Sequence, residues 1–342
     1  MPSDRTEVTE ITTGLALLGF PDIDRALATR PEWFLNVTAT QYEALAEARA
    51  GGAYDDEFTV AWETGQRFLN SRDGLRGRVP DRLEWKGPKK PPGYEQIPAD
   101  LQADHVYLIS CKYRSNILMN TSPPHLFDRL LAERGGDRFD WFAEVAGAEY
   151  QALYDATRSH YGLGAMPDKA VDLAAPERTR LKQALPKRGP WPEELEGTYA
   201  DLVNATSNES AMRWQSRLES IKAREEMLWR LLRLQPAPYF VLGVSHDKRP
   251  LHYRVGTPSE LRADFELGKF GAWNPVMRQP TVAWRAEFVR RHDSDAGSAG
   301  EHVAVEGHVE VRWSQGRFGG YPEAKIYLDT PHHEVPGYMV LA

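Results

Sequence analysis

The chain has 342 residues, 41% hydrophobic and 27% charged, which is the composition of an ordinary globular protein and excludes wholesale disorder. Cys111 is the single cysteine, so an internal disulfide and a cysteine-based zinc cluster are ruled out. A net charge of −7 argues against a small basic DNA-binding module, whose affinity comes from neutralising phosphates. It leaves room for local basic clusters such as Arg72, Arg76, Arg78 and Arg82, followed by Lys86, Lys89 and Lys90.

The N-terminal stretch lacks a basic run followed by an apolar core, so no signal peptide is expected. No apolar segment reaches the roughly 18–20 residues that span a bilayer. The cytoplasm is the default compartment, with no membrane partner. The length predicts two or three structural units, or one core with large insertions.

Residues 1–50 predict short amphipathic helices, with Ile11, Leu15, Leu18 and Leu45 on their apolar faces and Pro21 and Pro31 as breaks. A helix is predicted over 54–70, with Phe58, Trp62 and Phe68 or Leu69 on one side. Arg82 to Lys86 alternates polar and apolar and predicts a short strand, followed by a proline- and glycine-rich loop. His105 to Tyr113 is rich in β-branched and aromatic residues and predicts a buried strand. Pro123-Pro124 then leads into a predicted helix over 125–133.

Residues 137–200 read as helical with proline interruptions, and a long helix is predicted over 208–234, where Trp214, Leu218, Ile221, Leu228 and Leu232 recur at helical spacing. The remainder is β-rich, with strands predicted at 239–244, 252–255, 282–290, 303–313 and 325–328, and a hairpin loop at 291–301. Three regions follow: 1–136 with the early helices and strands, 137–235 helical, and 236–342 β-rich. The last of these has strands that can complete the sheet begun by the first.

Chemistry concentrates at 98–116. Pro98-Ala99-Asp100 precedes the apolar strand that ends in Ser110-Cys111-Lys112-Tyr113. Alternation puts Ser110 and Lys112 on one face of that strand and Cys111 on the other. A lysine at the end of a buried strand needs a carboxylate partner.

This pattern, a P-x-D, an apolar strand and then a lysine two positions after a polar residue, resembles the PD-(D/E)xK nuclease superfamily over about residues 57–133. The resemblance implies a mixed α/β fold with a restriction-endonuclease-like central sheet, a helical insertion and a β-rich C-terminal region. It implies a metal-dependent nuclease that hydrolyses phosphodiester bonds, of DNA ahead of RNA, in a setting such as restriction or antiviral defence. Mg²⁺ or Mn²⁺ would be the cofactor. Asp100 takes the place of the first acid and Lys112 that of the lysine. Ser110 stands where the family has its second acid, as in the Ser-x-Lys branches.

Glu84 is the first choice for a substitute carboxylate, with Glu63 and Asp128 as further options. Cys111 is carried as an additional metal-ligand candidate, although its side of the strand is the core side. Arg114, Asn116, Asn120, Lys89 and Lys90 are the candidate nucleic-acid contacts. Two other triplets compete: Glu84-Trp85-Lys86 with Asp73 upstream, and Glu323-Ala324-Lys325.

Other features have plainer accounts. His302, His308 and the pair His332-His333 can be read as a metal site, but adjacent histidines do not share a strand face. The Trp214–Leu232 stripe reads as core or as the interface of a homodimer, which double-strand cleavage would call for. Arg312 to Gly320 combines arginines, aromatics and glycines and reads as a backbone clamp or as a hairpin turn. Two alternatives to the nuclease stay open: a catalytically inactive nucleic-acid or protein-binding module, and a small-molecule enzyme with a pocket in the C-terminal β region.

Overall fold

The structure, a computed structural model, describes residues 4–87, 98–132, 139–186, 189–291 and 301–342. It is a mixed α/β protein with two sheets. Eleven α-helices lie among the described residues, and none of them is long and apolar enough to cross a membrane.

The chain opens with α1 (Asp4–Ala16), α2 (Ile23–Thr29), the two-residue strand β1 (Phe34–Leu35), α3 (Ala39–Ala50) and α4 (Asp55–Asn70). Local signals set these boundaries. The Asp22 carboxylate accepts from the Arg25 N–H at the start of α2, and Thr38 and Gln41 form a capping box on α3. Helix α4 begins with Asp55, Asp56 and Glu57 on the positive end of its dipole and buries Phe58, Ala61, Gly65, Phe68 and Leu69. Gly65 is where α4 crosses α1: a Cβ there would stand 2.5 Å from the Thr13 carbonyl oxygen.

The antiparallel meander β2 (Leu83–Trp85), β3 (Leu101–Ala103) and β4 (Tyr107–Tyr113) follows. Strand β3 is absent from the sequence reading, because three residues carry no periodic signal. Next come β5 (Ile117–Thr121), α5 (Pro123–Phe127), α6 (Trp141–Val145), α7 (Gly147–His160), α8 (Ala175–Ala184), α9 (Glu193–Arg217) and α10 (Ile221–Leu231).

The single helix expected over 208–234 is in fact two. Helix α9 begins at Glu193, and the chain breaks at Leu218–Ser220. There the Ser220 hydroxyl caps α10 by accepting from the Ala223 N–H, and the Arg224 guanidinium donates to the Leu218 and Glu219 carbonyls. Trp214, Leu218, Leu228 and Leu232 are buried. Most of the stripe is therefore core rather than an open interface, with Ile221 left exposed. The helix expected over 125–133 is likewise shorter, because Leu130 and Leu131 adopt left-handed backbone angles.

The chain ends with β6 (Tyr239–Val244), β7 (Pro250–Val255), α11 (Pro258–Asp264), β8 (Phe265–Trp273), β9 (Thr281–Arg290), β10 (His302–Trp313), β11 (Pro322–Leu328) and β12 (Tyr338–Val340). Most of the loop expected at 291–301 lies outside the described residues.

Two compact units result, and they interleave along the chain: residues 1–116, 234–263 and 332–342 form the first, and 117–233 and 264–331 the second. The first holds a mixed sheet in the order β1-β2-β3-β4-β6-β7-β12, with β6 parallel to β4. A parallel pair needs a long crossover, and the chain between β4 and β6 supplies it. Gly243 faces Lys112 across this pair at φ +138°, and a Cβ would lie 1.7 Å from the Lys112 carbonyl oxygen. No other residue fits there without parting the strands.

The second unit holds an antiparallel sheet in the order β5-β11-β10-β9-β8. On β9, Val282, Trp284, Ala286 and Phe288 alternate inward. Helix α9 packs on this sheet, and Trp214 meets Phe270 ring to ring at 5.5 Å.

Candidate active site on the polar face of the meander

Register assigns the faces of β2, β3 and β4. Trp85, Leu101, Ile109 and Phe240 stand side by side across four strands and belong to the core cluster with α1 and α4 residues. Side chains one position away point to the opposite face: Glu84 and Lys86, then Gln102, then Ser110 and Lys112.

Asp100 sits at the bend before β3. Its Oδ2 accepts from the Cys111 backbone N–H at 2.7 Å and from the Ser110 hydroxyl at 3.3 Å. The carboxylate thus replaces a backbone partner of β4 and fastens the P-x-D bend to the Ser-x-Lys strand. Of the sequence candidates, Asp100 and Ser110 are in contact, and Lys112 follows Ser110 on the same face.

Glu84 lies directly opposite Gln102, while the Lys86 N–H donates to the Asp100 carbonyl at 2.8 Å. Glu84 and Asp100 are therefore diagonal neighbours, about 7–8 Å apart by sheet geometry. Between them runs Lys86, which the sequence reading placed in a basic cluster and in a competing triplet. Lys86 Nζ donates to Gln102 Oε1 at 2.6 Å and pairs with Glu84 Oε1 at 3.1 Å. Its side chain is 3% exposed and that of Glu84 18%. Asn36 Nδ2 also donates to Glu84 Oε1, at 3.3 Å. Lys86 and Gln102 are the members that sequence reasoning missed. The E-x-K spacing was a visible signal for the first, whereas Gln102 becomes visible only once the β2–β3 register is known.

Cys111 faces away from this group and packs against the core cluster. Burial, reinforced by the negative charges of Asp100 and Glu10, pushes its thiol well above the ordinary range. The neutral thiol is thus the form this environment favours. Glu63 lies exposed on α4 and lines a small cleft with Asp56, Arg67, Arg114 and His252. Asp128 belongs to the second unit, where it stands 3.8 Å from Arg213.

Among the nucleic-acid candidates, Arg114 pairs with Asp56 and lies over the Tyr113 ring. Asn116 Oδ1 accepts from the His246 N–H at 2.9 Å. Asn120 is exposed on β5 of the second unit, and Lys89 and Lys90 lie outside the described residues.

The competing triplets do not build a second site. Asp73 Oδ2 accepts from the Ala342 N–H at 3.0 Å, and Glu323 pairs with Lys325 at 3.1 Å on β11. The histidines have separate partners: His308 bonds Asp329 at 2.9 Å in the second unit, and His332 packs beside Tyr253 and Tyr338 in the first. Among the described residues, no group of three or more His, Cys, Asp or Glu side chains is placed to hold a metal ion.

The donors that are present are carboxylate oxygens. Magnesium keeps several waters and is commonly bound by one or two carboxylates together with substrate phosphate oxygens. Asp100 and Glu84 fit that ion by donor chemistry, and the set lacks the nitrogen and sulfur donors that zinc prefers. Comparison of the chain with protein-family models, with curated proteins and with solved structures finds no match.

Proposed function

We propose that the chain is a metal-dependent nuclease of the restriction-endonuclease-like kind, acting at the polar face of β2, β3 and β4 on DNA in preference to RNA. The observation that supports the reading is the contact of the Asp100 carboxylate with Ser110 and the Cys111 N–H. It joins the P-x-D bend to the Ser-x-Lys strand.

Asp100, with Glu84 as second acid, would hold Mg²⁺ or Mn²⁺. Such an ion supplies charge stabilisation on the phosphorane and lowers the pKa of water. Asp100 is positioned for this by two hydrogen bonds that fix its carboxylate plane. Ser110 orients Asp100 and stands where the family's second acid would be. Lys112 projects from the same face and offers a cation to the attacking water or to the developing phosphate charge. A chain with one such hairpin would cut both strands of a duplex as a symmetric homodimer, which light scattering with and without DNA tests.

The deciding experiment incubates plasmid, linear duplex, single-stranded DNA and RNA with the protein and Mg²⁺ or Mn²⁺. Cleavage is expected, and it disappears in EDTA and in Asp100→Asn, an isosteric change that retains an acceptor for the Cys111 N–H. Cleavage undiminished in either condition overturns the assignment.

A second reading rests on Lys86. A buried lysine already paired to Glu84 neutralises the second acid, and an inactive nucleic-acid-binding module would keep that pair for stability. Salt-sensitive DNA binding without cleavage under any of these metals favours it.

A further inference from the structure

A cleft of about 980 Å³ opens in the second unit, and none of its lining residues belongs to the β2–β4 face. Its walls come from the loop at 189–191, from α9, from the segment that precedes β9, and from the end of β10 with the turn that follows. The lining includes three aromatic side chains, Trp191, Tyr199 and Trp313, with the Trp191 and Tyr199 rings 5.2 Å apart. Val276 and Met277 line the same cleft and are 74% and 56% exposed. Two large apolar side chains offered to solvent at the mouth of a cleft are a binding signature rather than a packing one.

The same lining carries three arginines and one carboxylate, Glu196. Arg278 is exposed and has no ion pair among the described residues, and Arg312 stands 3.5 Å from Glu310. Arg317 is the unusual member. It is only 8% exposed, and its guanidinium lies 4.0 Å over the Trp191 ring. Its Nη2 donates to the Gly189 and Pro190 carbonyls at 2.7 and 2.8 Å. Among the described residues its Nη1 is buried without a hydrogen-bond partner, and no carboxylate pairs with it. A guanidinium withdrawn from water without a counter-charge costs free energy. The cost is recovered when an anion takes up a place beside it.

We propose that this cleft binds a small anionic ligand carrying a flat ring, of the nucleoside-phosphate class. The ring lies against the aromatic and apolar side chains, and Arg278 and Arg312 meet the phosphate, with the charge of Arg317 adding to theirs. The volume is that of a site for a drug-sized molecule. Arginine forks match phosphate oxygens, and aromatic faces accept any base. The proposal does not depend on the nuclease reading, since none of its residues belongs to the β2–β4 face.

Calorimetric titration of the full chain with AMP, ATP, adenosine and inorganic phosphate tests it. AMP and ATP are expected to bind in the micromolar range, and adenosine and phosphate each more weakly. Arg278→Ala with Arg312→Ala is expected to weaken AMP about tenfold, the equivalent of about 1.4 kcal/mol. Tyr199→Ala is expected to weaken it by a similar factor through lost stacking, and Asp100→Asn to leave it unchanged. No heat with any nucleotide at millimolar concentration overturns the proposal. So does AMP binding that is indifferent to both the arginine pair and Tyr199. A ten-nucleotide single strand bound more than tenfold tighter than AMP also overturns it, in favour of a strand-binding groove.

Discussion

Lys86 in the first unit and Arg178 in the second are both cations withdrawn from water, and their surroundings differ in kind. Arg178 spends its whole guanidinium on the scaffold. Nε donates to the Leu173 carbonyl at 3.1 Å, Nη1 to the Phe318 carbonyl at 3.2 Å and Nη2 to Asp140 at 2.9 Å. The Tyr321 ring lies 4.6 Å below. Each bond ties α8 to a different loop, and a planar fork used in this way is a cross-link. Lys86 is a point charge beside a carboxylate and an amide on one sheet face, opposite the bend that carries Asp100. A flexible ammonium can exchange partners, whereas a saturated guanidinium cannot. Saturation by main-chain carbonyls marks scaffold, whereas Lys86 lies on the strand face proposed above as the site.

The largest effect expected from this contrast is at Arg178. Arg178→Met leaves the Asp140 carboxylate, among the described residues, with the Tyr150 hydroxyl as its side-chain donor. Breaking a buried pair from one side costs about 3–5 kcal/mol. Urea unfolding of the full chain should show that loss, and a change under about 1 kcal/mol would remove the distinction between the two cations.

Next is Lys112→Ala. Lys112 ends β4 with part of its side chain exposed, so the variant should keep its stability. Under the proposed chemistry, single-turnover cleavage should fall by about 100-fold or more, the range seen for a positioned proton-transfer or charge-stabilising group. Wild-type rates in the variant would detach the hairpin from catalysis.

Lys86→Met should cost less than Arg178→Met. Glu84, the carboxylate left behind, keeps a bond from Asn36 and is partly open to water, so a loss of about 1–3 kcal/mol is expected from thermal unfolding. A loss equal to that at Arg178 would class Lys86 as scaffold.

How much of this was legible in the chain follows the length of each signal. Strand β6 is a continuous apolar run and β9 alternates cleanly, so both were readable within a residue or so. Strand β3 is three residues long, and β5, Ile-Leu-Met-Asn-Thr, has no alternation and only partial burial. The α9–α10 break was hidden because Leu218, at the break itself, is buried and keeps the apolar phase running through it. The cap made by Arg224 on two carbonyls leaves no trace in a pattern of hydrophobicity. At the candidate site, the Asp100–Ser110 contact was within reach, since a bend and one adjacent strand place it. The Lys86–Gln102 bond was not, because it depends on the register of two strands that the sequence alone does not align. Arg317 belongs to the 312–320 stretch, which reads as a backbone clamp or as a hairpin turn, and neither reading shows that this arginine is enclosed against Trp191.

A neutral base in the first unit gives the smallest and most specific test of the rule that burial decides charge. His252, on β7, meets the Phe68 ring edge-on at 6.3 Å, and among the described residues its Nε2 is buried without a partner. Burial, assisted by the nearby Arg67 charge, lowers its pKa from 6.5 to about 4. Between those values the unfolded chain takes up a proton that the folded chain refuses. Stability contributed by the neutral ring is therefore whole above pH 6.5 and is lost as pH falls towards 4. Allowing for the ring's partial exposure, the loss is about 1–2 kcal/mol. His332 shifts in the same direction through burial and the neighbouring His333, so its contribution adds and must be held constant by comparing single variants. His252→Leu should flatten the stability profile across this window relative to wild type while leaving the profile above pH 7 parallel. An identical slope in wild type and variant would mean that the ring is protonated as readily inside the fold as outside it.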